Sequence, residues 1–212
     1  MVYFHTFVPK QFLSMSSKAQ QTSEYIIQKV APIFNKHGYY GTSMADLVEA
    51  TGLTKGAIYG NFKNKEELAF IAFRYNVERV VLKIREELAG IKSPLQQLYG
   101  LTNFYRTYKA YTVEFGGCPI LNIGVDAKDQ NPELLERVQE VIVRLQGYIT
   151  KMIQNGIDAK EIKKDVNPKT YARKFFTLIE GAVFMTATMN DDSYIQEMMA
   201  HIDGIIGREL AL

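Results

Sequence analysis

Cysteine, tryptophan and long apolar runs are scarce in this chain of 212 residues. It holds one cysteine, Cys118, and no tryptophan. A single cysteine excludes a disulfide framework and any zinc site built on cysteines, and it agrees with a reducing compartment. No stretch approaches the roughly 20 consecutive apolar residues that a membrane-spanning helix needs. The sequence therefore predicts a cytoplasmic protein that does not enter a membrane.

Catalytic motifs are missing as well. The three histidines, His5, His37 and His201, lie far apart and show no metal-binding spacing. The chain has no phosphate-binding glycine loop, no GxGxxG and no GxSxG motif. We therefore expect no metal, no cofactor and no enzymatic activity, and a helical enzyme is only a remote alternative.

The chain is rich in apolar side chains, and these recur at helical spacing. Apolar residues make up 47% of it and aromatic residues 12%, which is enough for a buried core and excludes the disordered class. No segment alternates with period two between hairpin turns. The sequence predicts an all-α fold of about nine helices. We expect residues 1–16 to be a disordered leader, and Met15 is an alternative natural start.

The stretch around which the chain is organised is TSMADLVEATGLTKGAIYGNFKNK, residues 42–65. A hydroxyl of Thr42 or Ser43 can cap a first short helix, and Asp46 can complete a capping box. Gly52 suits the left-handed position that follows the end of a helix. These signals predict a helix of about two turns followed by a tight turn.

A second helix follows, with a polar and cationic outer face. Thr54 can cap it, and Ile58 and Phe62 lie four residues apart and are expected to face inward. Residues 51–65 contain three lysines and no acidic residue, a local positive charge suited to DNA phosphates. The pattern is typical of a helix-turn-helix whose second helix enters the major groove. The candidate DNA-contacting residues are Thr42, Ser43, Thr54, Lys55, Gly56, Ala57, Tyr59, Asn61, Lys63 and Lys65.

The same stretch resembles the DNA-binding signature of the tetracycline-repressor-like (TetR) family of transcriptional regulators. The residues that carry the resemblance are the Thr42-Ser43 cap, the Ala50-Thr51-Gly52-Leu53 turn, the Gly56-Ala57-Ile58-Tyr59 run, Phe62 and Lys65. Asn61 departs from the histidine that many members carry before the phenylalanine. Because an amide can also contact phosphate or adenine, this departure bears on which operator is bound.

The resemblance implies a repressor that binds a palindromic operator as a homodimer and is released by a small-molecule inducer. A constitutive DNA-binding protein without an effector is the alternative. We expect a helix-turn-helix domain over residues 17–74 and a larger ligand-binding and dimerisation domain over residues 75–212. Lys65, at the start of the helix that links them, is expected to anchor a DNA phosphate.

The inducer pocket implied by the resemblance would lie among the aromatic residues of the larger domain. A helix expected from Ser93 to about Phe115 is rich in tyrosine, and buried tyrosine hydroxyls need polar partners such as a cavity provides. The candidate pocket residues are Tyr105, Tyr108, Asn122, Asp126 and Tyr148. Core packing is the alternative role for each of them.

Two amphipathic helices, expected over residues 169–189 and 193–210, end the chain. Such a pair can associate with its symmetry copy as a four-helix interface. The candidate interface residues are Phe175, Ala182, Ile195, Met199, Ile202 and Ile206. The alternative is that both helices close the core of the monomer.

Overall fold

The computed structural model describes residues 18–212, which form ten α-helices and no strand. The helices are α1 Lys18–His37, α2 Met44–Thr51, α3 Lys55–Tyr59, α4 Lys65–Leu88, α5 Pro94–Arg106, α6 Tyr108–Thr112, α7 Pro119–Ala127, α8 Pro132–Asp158, α9 Pro168–Met189 and α10 Ser193–Ile205. A 3-10 turn, Val113–Phe115, follows α6, and a π-helical turn, Ile206–Leu210, follows α10. The predicted all-α class is confirmed. The leader expected over residues 1–16 lies outside the described residues.

Capping residues and prolines account for most helix starts. Proline is the first residue of α5, α7, α8 and α9, where its missing N–H costs no helical hydrogen bond. Asn64 Oδ1 accepts the Glu67 N–H at 2.8 Å and so caps α4. Asn167 caps α9 in the same way, by accepting the Thr170 N–H at 3.1 Å.

The helix expected from Ser93 to about Phe115 is wrong in its C-terminal half. α5 ends at Arg106, and α6 covers only five residues. Thr107 separates them, because its N–H and its hydroxyl both donate to the Phe104 carbonyl. A threonine hydroxyl that bonds to nearby backbone competes with the continuation of a helix.

The described chain divides into two compact units. The N-terminal unit contains residues 18–80 and 113–139, and the C-terminal unit contains residues 81–112 and 140–212. This division differs from the boundary expected after residue 74, because residues 113–139 pack with the N-terminal helices. α4 and α8 each contribute residues to both units.

The core of the N-terminal unit forms where α1 covers the inner faces of α2, α3 and the first turns of α4. Ile58 and Phe62 are 0% and 5% exposed, so their predicted inward direction is confirmed. The other buried side chains of this core are Ile26, Ile27, Val30, Ala31, Phe34, Leu47, Leu68, Ala69 and Ala72. This packing fixes the side of α3 that remains outside.

In the C-terminal unit, α10 lies against α5 and α9. The six residues predicted to form a dimer interface are buried inside this single chain, with exposures between 0 and 5%. The interface prediction is therefore wrong for Phe175, Ala182, Ile195, Met199, Ile202 and Ile206. Their apolar side chains close the core of the monomer, which was the alternative.

Candidate nucleic-acid interface

α2 and α3 form a helix-turn-helix whose ends are fixed by the predicted caps. Ser43 Oγ accepts the Asp46 N–H at 3.2 Å, and the Asp46 carboxylate accepts the Ser43 N–H at 2.6 Å. The Ser43 N–H, and after it the Ser43 side chain, hold the pKa of the Asp46 carboxyl below its usual value. Gly52 has a φ of +66°, the left-handed conformation expected after a helix. Thr54 Oγ1 accepts the Ala57 N–H at 3.2 Å, so both predicted caps are confirmed.

The outer side of α3 carries most of the candidate DNA-contacting residues. Lys55, Gly56 and Tyr59 are exposed, and Ala57 is half-buried. The Lys55 ammonium lies 5.8 Å from the centre of the Tyr59 ring, within the range of a cation–π contact. Lysine and tyrosine thus share one solvent-facing surface.

Among the described residues, neither a positive φ nor a close neighbour requires a glycine at position 56. Its φ is not positive, and a Cβ built on it would meet only Thr54 Oγ1, at 3.9 Å. A glycine within a helix costs roughly 0.5–1 kcal/mol relative to alanine. The missing side chain leaves the backbone of α3 open to close approach from outside. A DNA major groove is a partner that would make such an approach.

Hydroxyl groups and one further lysine flank this surface. The hydroxyls of Ser43 and Thr54 accept backbone N–H groups, and each keeps its own hydrogen to donate. Both residues are exposed, and so is Lys63. Their placement suits contact with phosphate oxygens.

Two of the candidate residues are instead tied into the fold. Thr42 is 1% exposed, and its hydroxyl donates to the Gly38 carbonyl at 2.7 Å, so it does not face DNA. Asn61 is half-buried; its amide nitrogen donates to the Ala57 carbonyl at 2.9 Å, and its oxygen accepts the Ser23 hydroxyl at 2.9 Å. Asn61 thereby joins α1 to the end of α3.

Lys65 also differs from the expectation of a phosphate anchor. Its ammonium donates to the Tyr39 carbonyl at 2.6 Å and lies 4.3 Å from the centre of the Tyr39 ring. Partial burial lowers the pKa of this lysine, although the negative charges of Asp126 and Asp46 act in the opposite direction. Its first role is to hold the connection between α1 and α2, and only its remaining hydrogens are available to a phosphate.

A small cavity of about 30 Å³ lies within the C-terminal unit. Seven of its nine lining residues are apolar and the other two are tyrosines; they are Val81, Ile84, Leu101, Tyr105, Leu145, Tyr148, Ile149, Met152 and Phe176. A space of this size holds about two water molecules. Two of the candidate pocket residues, Tyr105 and Tyr148, are therefore brought together.

The other three candidate pocket residues are placed elsewhere. Tyr108 is buried, with its ring 5.1 Å from that of Tyr105. Asn122 and Asp126 belong to the N-terminal unit. The Asn122 amide nitrogen donates to the carbonyls of Asn35 and Gly116, both at 2.8 Å. Neither Asn122 nor Asp126 lines the cavity, because each is hydrogen-bonded within the N-terminal unit.

The two least exposed side-chain amides of the N-terminal unit were not predicted from the sequence. Asn35 and Asn76 are each 1% exposed. The Asn35 nitrogen donates to the carbonyls of Phe115 and Gly117 at 2.6 and 2.8 Å, and the Asn76 nitrogen donates to the Ala31 carbonyl at 2.8 Å. For Asn76 the sequence does contain a signal, because this amide interrupts an otherwise apolar helix face three residues after Phe73.

Residues 18–212 contain neither a candidate metal cluster nor a candidate membrane-spanning helix. Across this part of the chain, no three His, Cys, Asp or Glu side chains are grouped so that they could hold a metal ion. No helix within the same residues is both long and apolar enough to span a bilayer.

Comparison with known families gives two matches. Residues 26–70 match the family described as bacterial regulatory proteins, tetR family, and residues 94–202 match the tetracyclin repressor-like C-terminal domain. The second match alone spans just over half of the chain. The protein belongs to the TetR family. This TetR-family chain is a helix-turn-helix transcriptional regulator, and that prediction is confirmed.

Similar proteins support the assignment over nearly the whole length. The structure of a TetR-family regulator from Cytophaga hutchinsonii is 32% identical, with a TM-score of 0.88, covering 93% of this chain and 98% of that chain. A TetR regulator from Chloroflexus aurantiacus J-10-FL is 34% identical, with a TM-score of 0.86 and coverages of 92% and 98%. The HTH-type transcriptional regulator UidR of Escherichia coli K12 is 22% identical over 199 residues, covering 91% of this chain and 97% of that protein.

Proposed function

We propose that this TetR-family regulator is a repressor that binds a palindromic operator as a homodimer and is released by a small molecule. The observation that carries the proposal is the outer face of α3, where Gly56 leaves the backbone open beside Lys55 and Tyr59. Action on chromosomal DNA would place the protein in the bacterial cytoplasm.

Base contacts would come from α3. Lys55 is suited to guanine O6 and N7, and the methyl group of Ala57 to the thymine methyl. Ser43, Thr54 and Lys63 are exposed at the ends of the two helices and would bind phosphates, which sets the register without reading sequence.

The homodimer would form through the outward side of α9 rather than through its buried side. The exposed residues Thr177, Gly181, Phe184 and Thr188 recur there at helical spacing. Phe184 is 51% exposed, and a Cβ on Gly181 would meet nothing within 4 Å. A large apolar side chain beside a small residue favours close packing of helices, and a twofold axis would bring this face against its own copy.

The effector would be a small, uncharged and largely apolar molecule. The cavity lining contains no charged side chain, and Tyr105 and Tyr148 are the two lining residues with a polar side-chain group. Because the cavity measures about 30 Å³, an organic ligand would have to select a more open arrangement of the surrounding side chains.

The cavity's small size is the one observation that favours the alternative, a constitutive DNA-binding protein. Ligand sites usually measure about 300–1,000 Å³. Thermal unfolding with benzyl alcohol and with benzoate separates the two functions. We expect benzyl alcohol alone to raise the Tm, since a ligand that binds the native state stabilises it. No rise with either compound would favour the constitutive protein.

Selection of duplexes from a random-sequence library tests the DNA-binding face. We expect the wild type to enrich a palindrome whose half-sites lie about 34–36 Å apart, or a multiple of that distance. Lys55→Ala should relax the preference at one base pair per half-site, a cost of about 1–3 kcal/mol.

Lys164→Ala is the matched control, because Lys164 is an exposed lysine of the C-terminal unit. It should leave the enriched sequence unchanged. The same enriched sequence from Lys55→Ala and wild type would remove Lys55 from the base-reading residues, and enriched sites without twofold symmetry would argue against the dimer.

A further inference from the structure

The connection between α1 and α2, residues 38–43, is held by side chains and backbone from distant parts of the N-terminal unit. The Tyr39 N–H donates to Asp126 Oδ2 at 2.7 Å, and the Tyr39 carbonyl accepts from Lys65 at 2.6 Å. The Tyr40 hydroxyl donates to the Gln130 carbonyl at 2.7 Å. Both sides of the Tyr39 backbone are therefore bound to charged groups, which makes these hydrogen bonds stronger than neutral ones.

Gly38 shows how closely the Asp126 carboxylate approaches this connection. Its φ is +74°, and a Cβ built on it would lie 2.7 Å from Asp126 Cγ. Glycine is thus required for its conformation and for the space that the carboxylate occupies.

The segment that begins at Asp126 also holds the start of α4, through Asn131. The Asn131 amide nitrogen donates to Glu66 Oε1 at 2.6 Å, and Glu66 lies in the first turn of α4. α2 and α3 lie between Tyr40 and Lys65 in the chain. Residues 126–131, which we name the clamp segment, therefore bind the chain just before and just after the helix-turn-helix.

We propose that Asp126 is a positioning residue for DNA binding, which acts by holding the chain at Tyr39 just before the helix-turn-helix, while Asn131 of the same clamp segment holds Glu66 just after it. The clamp segment lies within the region that matches the C-terminal domain of the family. The inference rests on the proposed DNA-binding face, although Asp126 itself belongs to α7 and not to that face. Without the Asp126 bond, α2 and α3 would sample more orientations, and binding would have to pay for ordering them.

Operator affinity of full-length variants is the first test. The probe is the duplex enriched by the wild type from the random library, together with an unenriched duplex. Asp126→Ala should weaken binding to both by about tenfold, the effect of one charge-assisted hydrogen bond. Asp126→Asn should have a smaller effect, because its amide oxygen can still accept the Tyr39 N–H.

Asp129→Ala is the matched control. Asp129 is exposed and lies in the same clamp segment, so its removal changes the charge equally without removing the Tyr39 bond. Its affinity should equal or exceed that of the wild type, since losing a negative charge favours binding to phosphates. Equal affinities for Asp126→Ala and Asp129→Ala, or a changed base preference in Asp126→Ala, would overturn the proposal.

Hydrogen exchange gives a readout that does not need DNA. Amides of residues 39–65 should exchange faster in Asp126→Ala than in Asp129→Ala, with unchanged exchange in α9 and α10. If Asp126→Ala does not fold, Asp126→Asn serves in both measurements. Unchanged exchange in residues 39–65 would contradict the clamp. A wild type that enriches no duplex would instead count against the proposed DNA-binding face, and the exchange rates would then decide on Asp126 alone.

Discussion

The helix-turn-helix and the C-terminal pair α9 and α10 were both visible in the sequence as helices, but only in the first could their inner and outer sides be assigned correctly. In α2 and α3 the caps and the tight turn fix both ends, and Ile58 marks the inner side. α9 carries apolar residues around much of its circumference, from the buried Phe175 to the half-exposed Phe184. Apolar residues on several sides of a helix indicate that several sides are buried. The helix sequence does not indicate which element or subunit covers each side.

Phe175→Ala tests the buried side of α9 and has the largest expected effect. Phe175 is 2% exposed inside the monomer, so the change leaves a cavity and should lower the free energy of unfolding by about 3–5 kcal/mol. Urea unfolding measures the loss. The concentration dependence of the oligomeric state should not change, and a variant of wild-type stability that dissociates more readily would restore Phe175 to the interface.

Phe184→Glu tests the opposite side of the same helix. In the dimer proposed through α9, a buried carboxylate at position 184 would face its own copy, so we expect Phe184→Glu to be a monomer. Operator affinity should fall by about 100-fold or more, because the second half-site no longer adds avidity. Light scattering and operator titration measure the two effects.

Val143→Glu is the control for Phe184→Glu. Val143 is 69% exposed on α8, so the change adds the same charge at an apolar surface position of the C-terminal unit. It should leave the dimer intact. Dissociation by Val143→Glu but not by Phe184→Glu would move the interface from α9 to α8.

The smallest expected effect concerns the capping box of α2. Ser43→Ala should cost about 1 kcal/mol of stability. The folded-state pKa of Asp46 lies below its unfolded value of about 3.9. Its stabilising effect is therefore present above that unfolded value and is lost as the pH falls through the folded pKa.

Asp46→Ala removes the carboxylate that accepts the Ser43 N–H, so it should lose stability near neutral pH and flatten the acid limb of the stability curve. Thr54→Ala removes the cap of α3, whose bond to the Ala57 N–H involves no acidic partner. It should cost a similar free energy without changing the acid limb. Urea unfolding between pH 2 and 7 compares the variants, and an equally steep acid limb in Asp46→Ala and wild type would show that the Asp46 carboxylate does not contribute through the capping box.

Short-range interactions explain what could be predicted. The Ser43 and Asp46 pair, the left-handed Gly52 and the Thr54 cap each depend on residues within three or four positions, so the sequence contains all that they need. The inward direction of Ile58 and Phe62 follows from helical spacing. The helix-turn-helix, most of its exposed face and the family could therefore be inferred before the structure.

Long-range contacts explain what could not. Lys65 and Tyr39 are 26 residues apart, and Tyr39 and Asp126 are 87 residues apart. No local pattern indicates that a lysine at a helix start will bind a distant carbonyl, or that an aspartate predicted to line a ligand pocket will accept a peptide N–H.

The helices, their caps and the cationic outer side of α3 can be predicted from the sequence alone, because each depends on neighbours a few residues away. Tertiary packing determines which apolar residues of α9 and α10 are buried and which tyrosines line a cavity. It also brings the clamp segment into hydrogen bonds with the chain before and after the helix-turn-helix. Those outcomes depend on which helices pack together, since burial and hydrogen bonding are properties of the partner surface as much as of the residue.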